Sequence, residues 1–328
     1  MSAVDLIELW RGGMLESVHR GHAVICDPSG VVEAWGDPGA VIFPRSSCKM
    51  IQALPLLESG AAAAAGLRPE QLALSCASHN GAAIHVERVD SWLKNRGLSE
   101  RDLRCGSHMP GDRIEAARLT CAGASPCQLH NNCSGKHAGF LTLNQHLGGN
   151  SEYVELDHPV QLACKAAFEE VTGETSPGFG IDGCSAPNHA GTITGLARAM
   201  AAFAAPGGGA RGEAMASLVQ AMCAFPELVA GEGRACTALM RAMQGRVAVK
   251  TGAEAVFVAI IPEKKLGVAL KILDGGTRAS EAAITALLVH LGVLDAGHPV
   301  VETYLTGDQK NWRGIVTGQL RRAKGFPA

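Results

Sequence analysis

Pro44-Arg45-Ser46-Ser47-Cys48-Lys49 holds a serine and a lysine in the spacing S-x-x-K. Positions i and i+3 share one face of a helical turn, so the Ser46 hydroxyl and the Lys49 amine would sit side by side. Serine attacks a carbonyl only when a base takes its proton. A lysine is such a base once burial or a nearby positive charge lowers its pKa. Pro44 suits a helix entrance, and residues 50–54 continue with types a helix tolerates. Ser47 is a rival nucleophile, but two residues from Lys49 it would face away. The plain alternative is a helix start with a solvated lysine, because S-x-x-K arises readily by chance.

Two later matches weigh against chance. Ser78-His79-Asn80 reads S-x-N, and Lys250-Thr251-Gly252 reads K-T-G. The three elements in this order are the signature of serine β-lactamases and penicillin-binding proteins, here with an early second element and a late third. Ser78 and Lys250 form a second serine–lysine pair. Thr251-Gly252 at a strand end would let a substrate approach the backbone. The alternative for Lys250 is an edge-strand charge that deters aggregation.

Asn131-Asn132-Cys133-Ser134-Gly135-Lys136-His137 and Gly180-Ile181-Asp182-Gly183-Cys184 are two further clusters, and their glycines predict tight loops. Cys133 and Cys184 are donors for a soft or borderline metal such as zinc. Two thiolates do not complete a tetrahedral site; Lys136, His137 and Asp182 are the other donors at hand. The alternative is two buried thiols beside a polar loop. Cys121, Cys127 and Cys133 recur every six residues, a spacing that fits no common zinc pattern.

Composition bounds the rest. Across 328 residues, 47% are hydrophobic and 18% charged, which describes a chain with a large core and not a disordered one. A net charge of -2 with no long basic run excludes an electrostatic nucleic-acid or membrane surface. Arg321-Arg322-Ala323-Lys324 is the one basic cluster, read as a solvated tail. The first ten residues carry Asp5 and Glu8 and no long apolar run, so a signal peptide and a membrane span are not expected. Eleven irregularly spaced cysteines then fit the reduced thiols of a cytoplasmic protein.

The elements that must position these residues follow from periodicity. Short apolar segments at 4–10, 15–19, 23–26 and 31–35, separated by glycine turns, predict an antiparallel meander. Helices are predicted at 86–96, 159–172, 193–204, 213–223 and 236–243. After Gly245, strands are predicted at 246–250, 255–261 and 266–272, then a helix at 278–291. The expected fold is α/β (α+β). Residues 1–44 and 245–328 would form an antiparallel sheet with a flanking helix. Residues 45–244 would form an inserted, mostly helical domain, with Ser46, Ser78 and Lys250 at the cleft.

Taken together the chain resembles the asparaginases of rhizobial type, which share the serine-β-lactamase-like fold of bacterial glutaminases. The resemblance rests on Arg45-Ser46-Ser47-Cys48-Lys49, Ala77-Ser78-His79-Asn80-Gly81, Cys105-Gly106, Asp157-His158-Pro159, Ile181-Asp182-Gly183-Cys184, Gly252-Ala253-Glu254 and Leu270-Lys271-Ile272-Leu273-Asp274-Gly275. Its most specific stretch is Asn131-Asn132-Cys133-Ser134-Gly135-Lys136-His137-Ala138-Gly139. The resemblance implies hydrolysis of L-asparagine to L-aspartate and ammonia. It implies the pairs Ser46–Lys49 and Ser78–Lys250, and zinc (Zn2+) on Cys133, Lys136 and Cys184 with Asp182 nearby. It also places Arg45, His137 and Asp182 at the substrate, and His79 and Asn80 are expected there too. A homodimer is the expected assembly. Ala255 departs from the glycine expected after Gly-Ala-Glu, and Thr251 departs as well. Rival readings are a glutaminase, a penicillin-recognising hydrolase and an amino-acid-binding sensor without catalysis.

Overall fold

The structure, a computed structural model, describes residues 2–327. Its strands are β1 (Val4–Arg11), β2 (Met14–Asp27), β3 (Gly30–Trp35), β4 (Val41–Ile42), β5 (Phe179–Ile181), β6 (Pro187–His189), β7 (Gly191–Thr192), β8 (Ala248–Gly252), β9 (Val256–Ile261), β10 (Leu266–Ile272), β11 (Asp308–Lys310) and β12 (Val316–Arg322). The chain divides into two compact units. The first comprises Met1–Ser47, Gly191–Ala205 and Ala238–Ala328; the second comprises Cys48–Ala190 and Pro206–Thr237. No helix among the described residues is long and apolar enough to cross a membrane.

The first unit is built on an antiparallel sheet in the order β11-β12-β1-β2-β10-β9-β8, with β3 paired to β2. β9 is buried along its whole length and β10 along most of it. Strands that apolar need cover on both faces. Helices Ile193–Ala204 and Thr277–His290 pack on them. Gly267 in β10 explains how close the first of these comes. A Cβ there would run into the backbone of Ala197, Met200 and Ala201.

Three sequence expectations change in this unit. The Ile193–Ala204 helix, expected within the 45–244 domain, belongs with the sheet, because its apolar face is used up on β2, β9 and β10. The segments 15–19 and 23–26 are one strand of 14 residues. Gly21 is not a turn there. It lies opposite Val4 on one side and Ile272 on the other, and a Cβ would collide with the Lys271 carbonyl. The basic cluster is solvent-exposed as expected, but it is part of a strand and not a tail. Arg321 and Arg322 are in β12, opposite Glu8 and Ile7 of β1, and the Arg321 guanidinium lies 5.2 Å from the Trp10 ring.

The second unit is mostly helical, and its central element is the helix Ser134–Leu147, buried from Ser134 to Asn144. Sequence analysis expected a tight loop at its start. The glycines serve helix packing instead. Gly135 lies against the Leu74 carbonyl of the helix Pro69–Ser75. Gly139 would put a Cβ 3.3 Å from Ser75 and 3.4 Å from Leu56. Small residues let helix axes approach where larger side chains would hold them apart. The second expected loop is found: β5 and β6 form a hairpin closed by Asp182–Ser185, with the Ser185 N–H on the Asp182 carbonyl at 2.9 Å.

Candidate active site

In the first unit, Ser46 lies in the 3-10 turn Arg45–Cys48 and is half-buried, as is Arg45. Arg45 takes φ +53°, a left-handed conformation that a residue with a Cβ adopts at a cost. Ser47 is fully buried, and its hydroxyl donates to the Pro44 carbonyl at 2.7 Å, so its oxygen is engaged in holding the turn. Gly252 presses on this turn: a Cβ would sit 2.6 Å from the Pro44 carbonyl oxygen and 3.1 Å from the Ser47 nitrogen. The glycine of K-T-G therefore admits the serine turn, where sequence analysis had it admit a substrate. Lys250, two residues earlier on β8, is 1% exposed and donates to the Thr251 carbonyl at 2.7 Å. That burial rules out the solvated edge charge. Glu254 and Ala255 follow in consecutive left-handed conformations, φ +58° and +56°. The backbone expected of glycine is thus kept with alanine at 255, at a cost of about 1–2 kcal/mol.

In the second unit, Lys49 opens the helix Lys49–Gln52 and is 1% exposed. Its Nζ bonds the Ala77 carbonyl, lies 3.0 Å from Ser78 Oγ and lies 3.1 Å from Cys133 Sγ. The amine that sequence analysis pairs with Ser46 is therefore bonded to Ser78. Its N–H groups have three acceptors there, the Ala77 carbonyl, Ser78 Oγ and Cys133 Sγ, which hold the amine in place; giving up one of those protons frees the lone pair that a base needs. Ser78 is held by its own N–H on the Val229 carbonyl at 2.9 Å.

Neighbouring bonds fix the thiol segment. The Asn131 side chain donates to the Cys105 and Gly106 carbonyls at 2.8 and 3.1 Å and accepts the Cys133 N–H at 2.8 Å. Cys133 precedes the Ser134–Leu147 helix, so Lys136 and His137 lie in its first turn. Lys136 Nζ is 3.1 Å from Cys184 Sγ, and Cys184 is also hydrogen-bonded to Cys133. The hydrogen bond from Cys133 pulls the Cys184 thiol well below the ordinary range against the effect of burial, with Lys136 adding to the pull. The same bond, together with burial, raises Cys133. Burial pulls the Lys136 ammonium down, but Cys184 and Cys133 outweigh it and the net direction is upward. These directions favour a thiol at Cys133, a thiolate at Cys184 and an ammonium at Lys136.

No three or more His, Cys, Asp and Glu side chains among the described residues gather as a metal-binding group. Cys133, Lys136 and Cys184 do converge, and two sulfurs and an amine are donors that zinc accepts. The donor set fits, provided that Cys133 and Lys136 give up their protons.

Other expected site residues take different places. His79 is 1% exposed with both ring nitrogens occupied, one by the Gly81 N–H at 3.2 Å and one by Ser134 Oγ at 3.0 Å. It braces the Ser78 turn and has no nitrogen left for a substrate. Asn80 is buried and accepts the Ala82 N–H at 3.4 Å ahead of the helix Ala83–Asn95. Asp182 is half-buried at the hairpin, its Oδ1 accepting the Gly183 N–H at 2.8 Å. His137 is fully buried beside Lys136; burial lowers its pKa, with Cys184 working the other way. Tyr153, which sequence analysis missed, meets His137 Nδ1 at 2.9 Å. The only hint in the sequence was that it is one of two tyrosines.

The sequence matches the L-asparaginase II family over residues 7–322, and the chain belongs to that family. No curated protein matches it. Among solved structures it is similar to Mglu in its native form, at 12% identity and a TM-score of 0.47, covering 85% of this chain and 66% of that one. The chain thus spans about two thirds of the length of Mglu. It is also similar to a β-lactamase from Mycobacterium bovis, at 14% identity and a TM-score of 0.44, covering 84% and 95%. A third is a probable glutaminase from Bacillus subtilis complexed with 6-diazo-5-oxo-L-norleucine, at 10% identity and a TM-score of 0.37, covering 84% and 85%.

Proposed function

We propose that this amidohydrolase of the L-asparaginase II family hydrolyses L-asparagine to L-aspartate and ammonia through a serine activated by lysine. The observation that carries the reading is the buried Lys49 amine, which opens the helix just after the Ser46 turn and lies 3.0 Å from Ser78 Oγ. Ser46 attacks the side-chain amide carbon and Lys49 takes its proton. Ser78 keeps Lys49 oriented and offers a path for that proton to the departing ammonia. Lys250, buried on β8, is the second candidate base. Water then hydrolyses the acyl-enzyme. Arg45, half-exposed, is the cation for a substrate carboxylate.

Cys133, Lys136 and Cys184 are assigned as zinc ligands. Bound there, zinc would polarise a substrate oxygen as a Lewis acid and leave the nucleophile to the serines. L-Glutamine is the competing substrate, because one methylene discriminates by only about 1–3 kcal/mol.

The test is ammonia release from both amides by the wild type, Ser46→Ala and Ser78→Ala, with circular dichroism to verify folding. Each variant should lose most of the activity, since each breaks a proton-transfer pair. Near-normal turnover in one variant removes that serine from the mechanism. A wild type that releases no ammonia from either amide refutes the assignment.

A further inference from the structure

Cys127, the middle one of the three thiols spaced by six residues, belongs to a polar cluster outside the serine–lysine site. It precedes the 3-10 turn Gln128–His130 and is half-buried, with residues 121–125 exposed ahead of it. Its Sγ lies 3.3 Å from His130 Nδ1. The other ring nitrogen, Nε2, lies 3.2 Å from Oε1 of Glu115 in the helix Arg113–Cys121. His130 and Glu115 are each 5% exposed. The Arg118 guanidinium grips both Glu115 oxygens, at 2.6 and 2.9 Å, and holds the carboxyl below its usual range.

These partners determine the tautomer. A carboxylate can only accept, so Nε2 carries the proton and donates it to Glu115. Nδ1 is then a lone pair. The Cys127 backbone N–H meets it at 3.1 Å, and a backbone N–H can only donate, which gives the same assignment. The Cys127 S–H is the second donor at that nitrogen. A thiol on an imidazole that a carboxylate orients from the far side is the general pattern of an activated nucleophile.

We propose that Cys127 is a modification site for low-molecular-weight disulfides, with His130 as its base and Glu115 as the residue that positions His130. The Cys127 sulfur attacks one sulfur of the incoming disulfide while its proton passes to Nδ1. A new S–S bond forms as the old one breaks, and Nδ1 returns the proton to the departing thiolate. The products are a mixed disulfide on Cys127 and one free thiol, so the exchange needs no further oxidant. Between the two transfers the Cys127 carbonyl, 3.3 Å from Nδ1, accepts the ring proton, and Glu115 steadies the imidazolium. None of these residues is a serine, lysine or zinc ligand named above, and the inference stands apart from the amidohydrolase reading.

Cys121 supplies an internal reference. It is exposed, and no histidine among the described residues is bonded to it. The folded protein is treated with hydroxyethyl disulfide, quenched in acid at set times, and each thiol is followed by tandem mass spectrometry. Cys127 should be modified at least about tenfold faster than Cys121 despite its lower exposure, because a positioned base contributes about 10²–10⁴-fold. In denaturant the two rates should converge. His130→Gln should slow Cys127 by about tenfold or more and leave Cys121 unchanged. Glu115→Gln keeps an oxygen for the Nε2 N–H and removes the charge, so its Cys127 rate should fall between the two. Circular dichroism verifies the fold of each variant. A wild type in which Cys121 reacts as fast as Cys127 overturns the inference. So does a folded His130→Gln or Glu115→Gln protein whose Cys127 rate stays within about twofold of the wild type. If neither variant folds, the comparison of the two thiols in the wild type decides.

Discussion

Acid should destabilise this protein in a window set by two stacked histidines. His79 and His85 lie 4.6 Å apart between ring centroids with 8° between their planes, at 1% and 0% exposure. Burial lowers the pKa of both, that of His79 to well below the ordinary value. The His85 charge adds to this at His79; the bond to the Glu227 carbonyl works against it at His85. The bonds give the same direction, since His79 Nδ1 accepts the Gly81 N–H and a proton there would set two N–H groups face to face. A group held neutral in the fold contributes its stability above the unfolded pKa and loses it as pH falls below that value. Unfolded histidine titrates near about 6.5. At about pH 5.5 the unfolded chain then holds about 0.9 of a proton on each ring. The loss from about pH 7.5 integrates to about 1.4 kcal/mol for His79, and up to as much again for His85. Urea unfolding at several pH values reads this directly. His85→Gln keeps a donor for the Glu227 carbonyl, which His85 Nε2 meets at 2.8 Å, but cannot titrate. It should lose less stability than the wild type over the same interval, by up to about 1.4 kcal/mol. Equal acid losses in the two proteins, or a wild type whose stability does not fall with pH, would refute the reasoning.

Zinc binding should release about two protons, one from Cys133 and one from Lys136, because Cys184 already rests as the thiolate. Calorimetry in buffers of different ionisation enthalpy measures the number, and absence of binding returns both cysteines to a structural role. Chelation should raise KM for L-asparagine more than it lowers kcat; the reverse pattern would argue for a part in the chemical step. Gly267→Ala should cost about 3 kcal/mol or more by forcing the Ile193–Ala204 helix off the sheet. Gly178→Ala, where a Cβ meets nothing within 4 Å, is the control in the same denaturant series, and similar midpoints would contradict the packing account.

Elements with an unbroken period were legible in the sequence. The helices Pro159–Thr172 and Ile193–Ala204 and the strand Leu266–Ile272 fall on the predicted residues. Local hydrophobic spacing and flanking turn residues define them without help from the rest of the chain. Glycine was where such reasoning failed. Gly21, Gly135 and Gly252 read as turns, loops or substrate access, and each proved to be a point of close backbone approach. A missing Cβ permits both uses, and only the neighbour decides between them. The C-terminal strand was missed because β12 is defined by its pairing with β1, more than 300 residues away in the chain.

The same division runs through the candidate site. Residue types and spacing determined the two serines, the two lysines, the thiols of Cys133 and Cys184 and the lysine-activated serine chemistry they suit; amide hydrolysis came with the resemblance to asparaginases. These are covalent properties of short segments, present before folding. Only the tertiary structure decided that the Lys49 amine meets Ser78 and Cys133, that both nitrogens of His79 are used in bracing, and that Tyr153 meets His137. Each of these depends on which polar atoms end up buried together. Burial is decided by how helices and strands distant in sequence pack, and a buried donor must then find its acceptor wherever the fold places one.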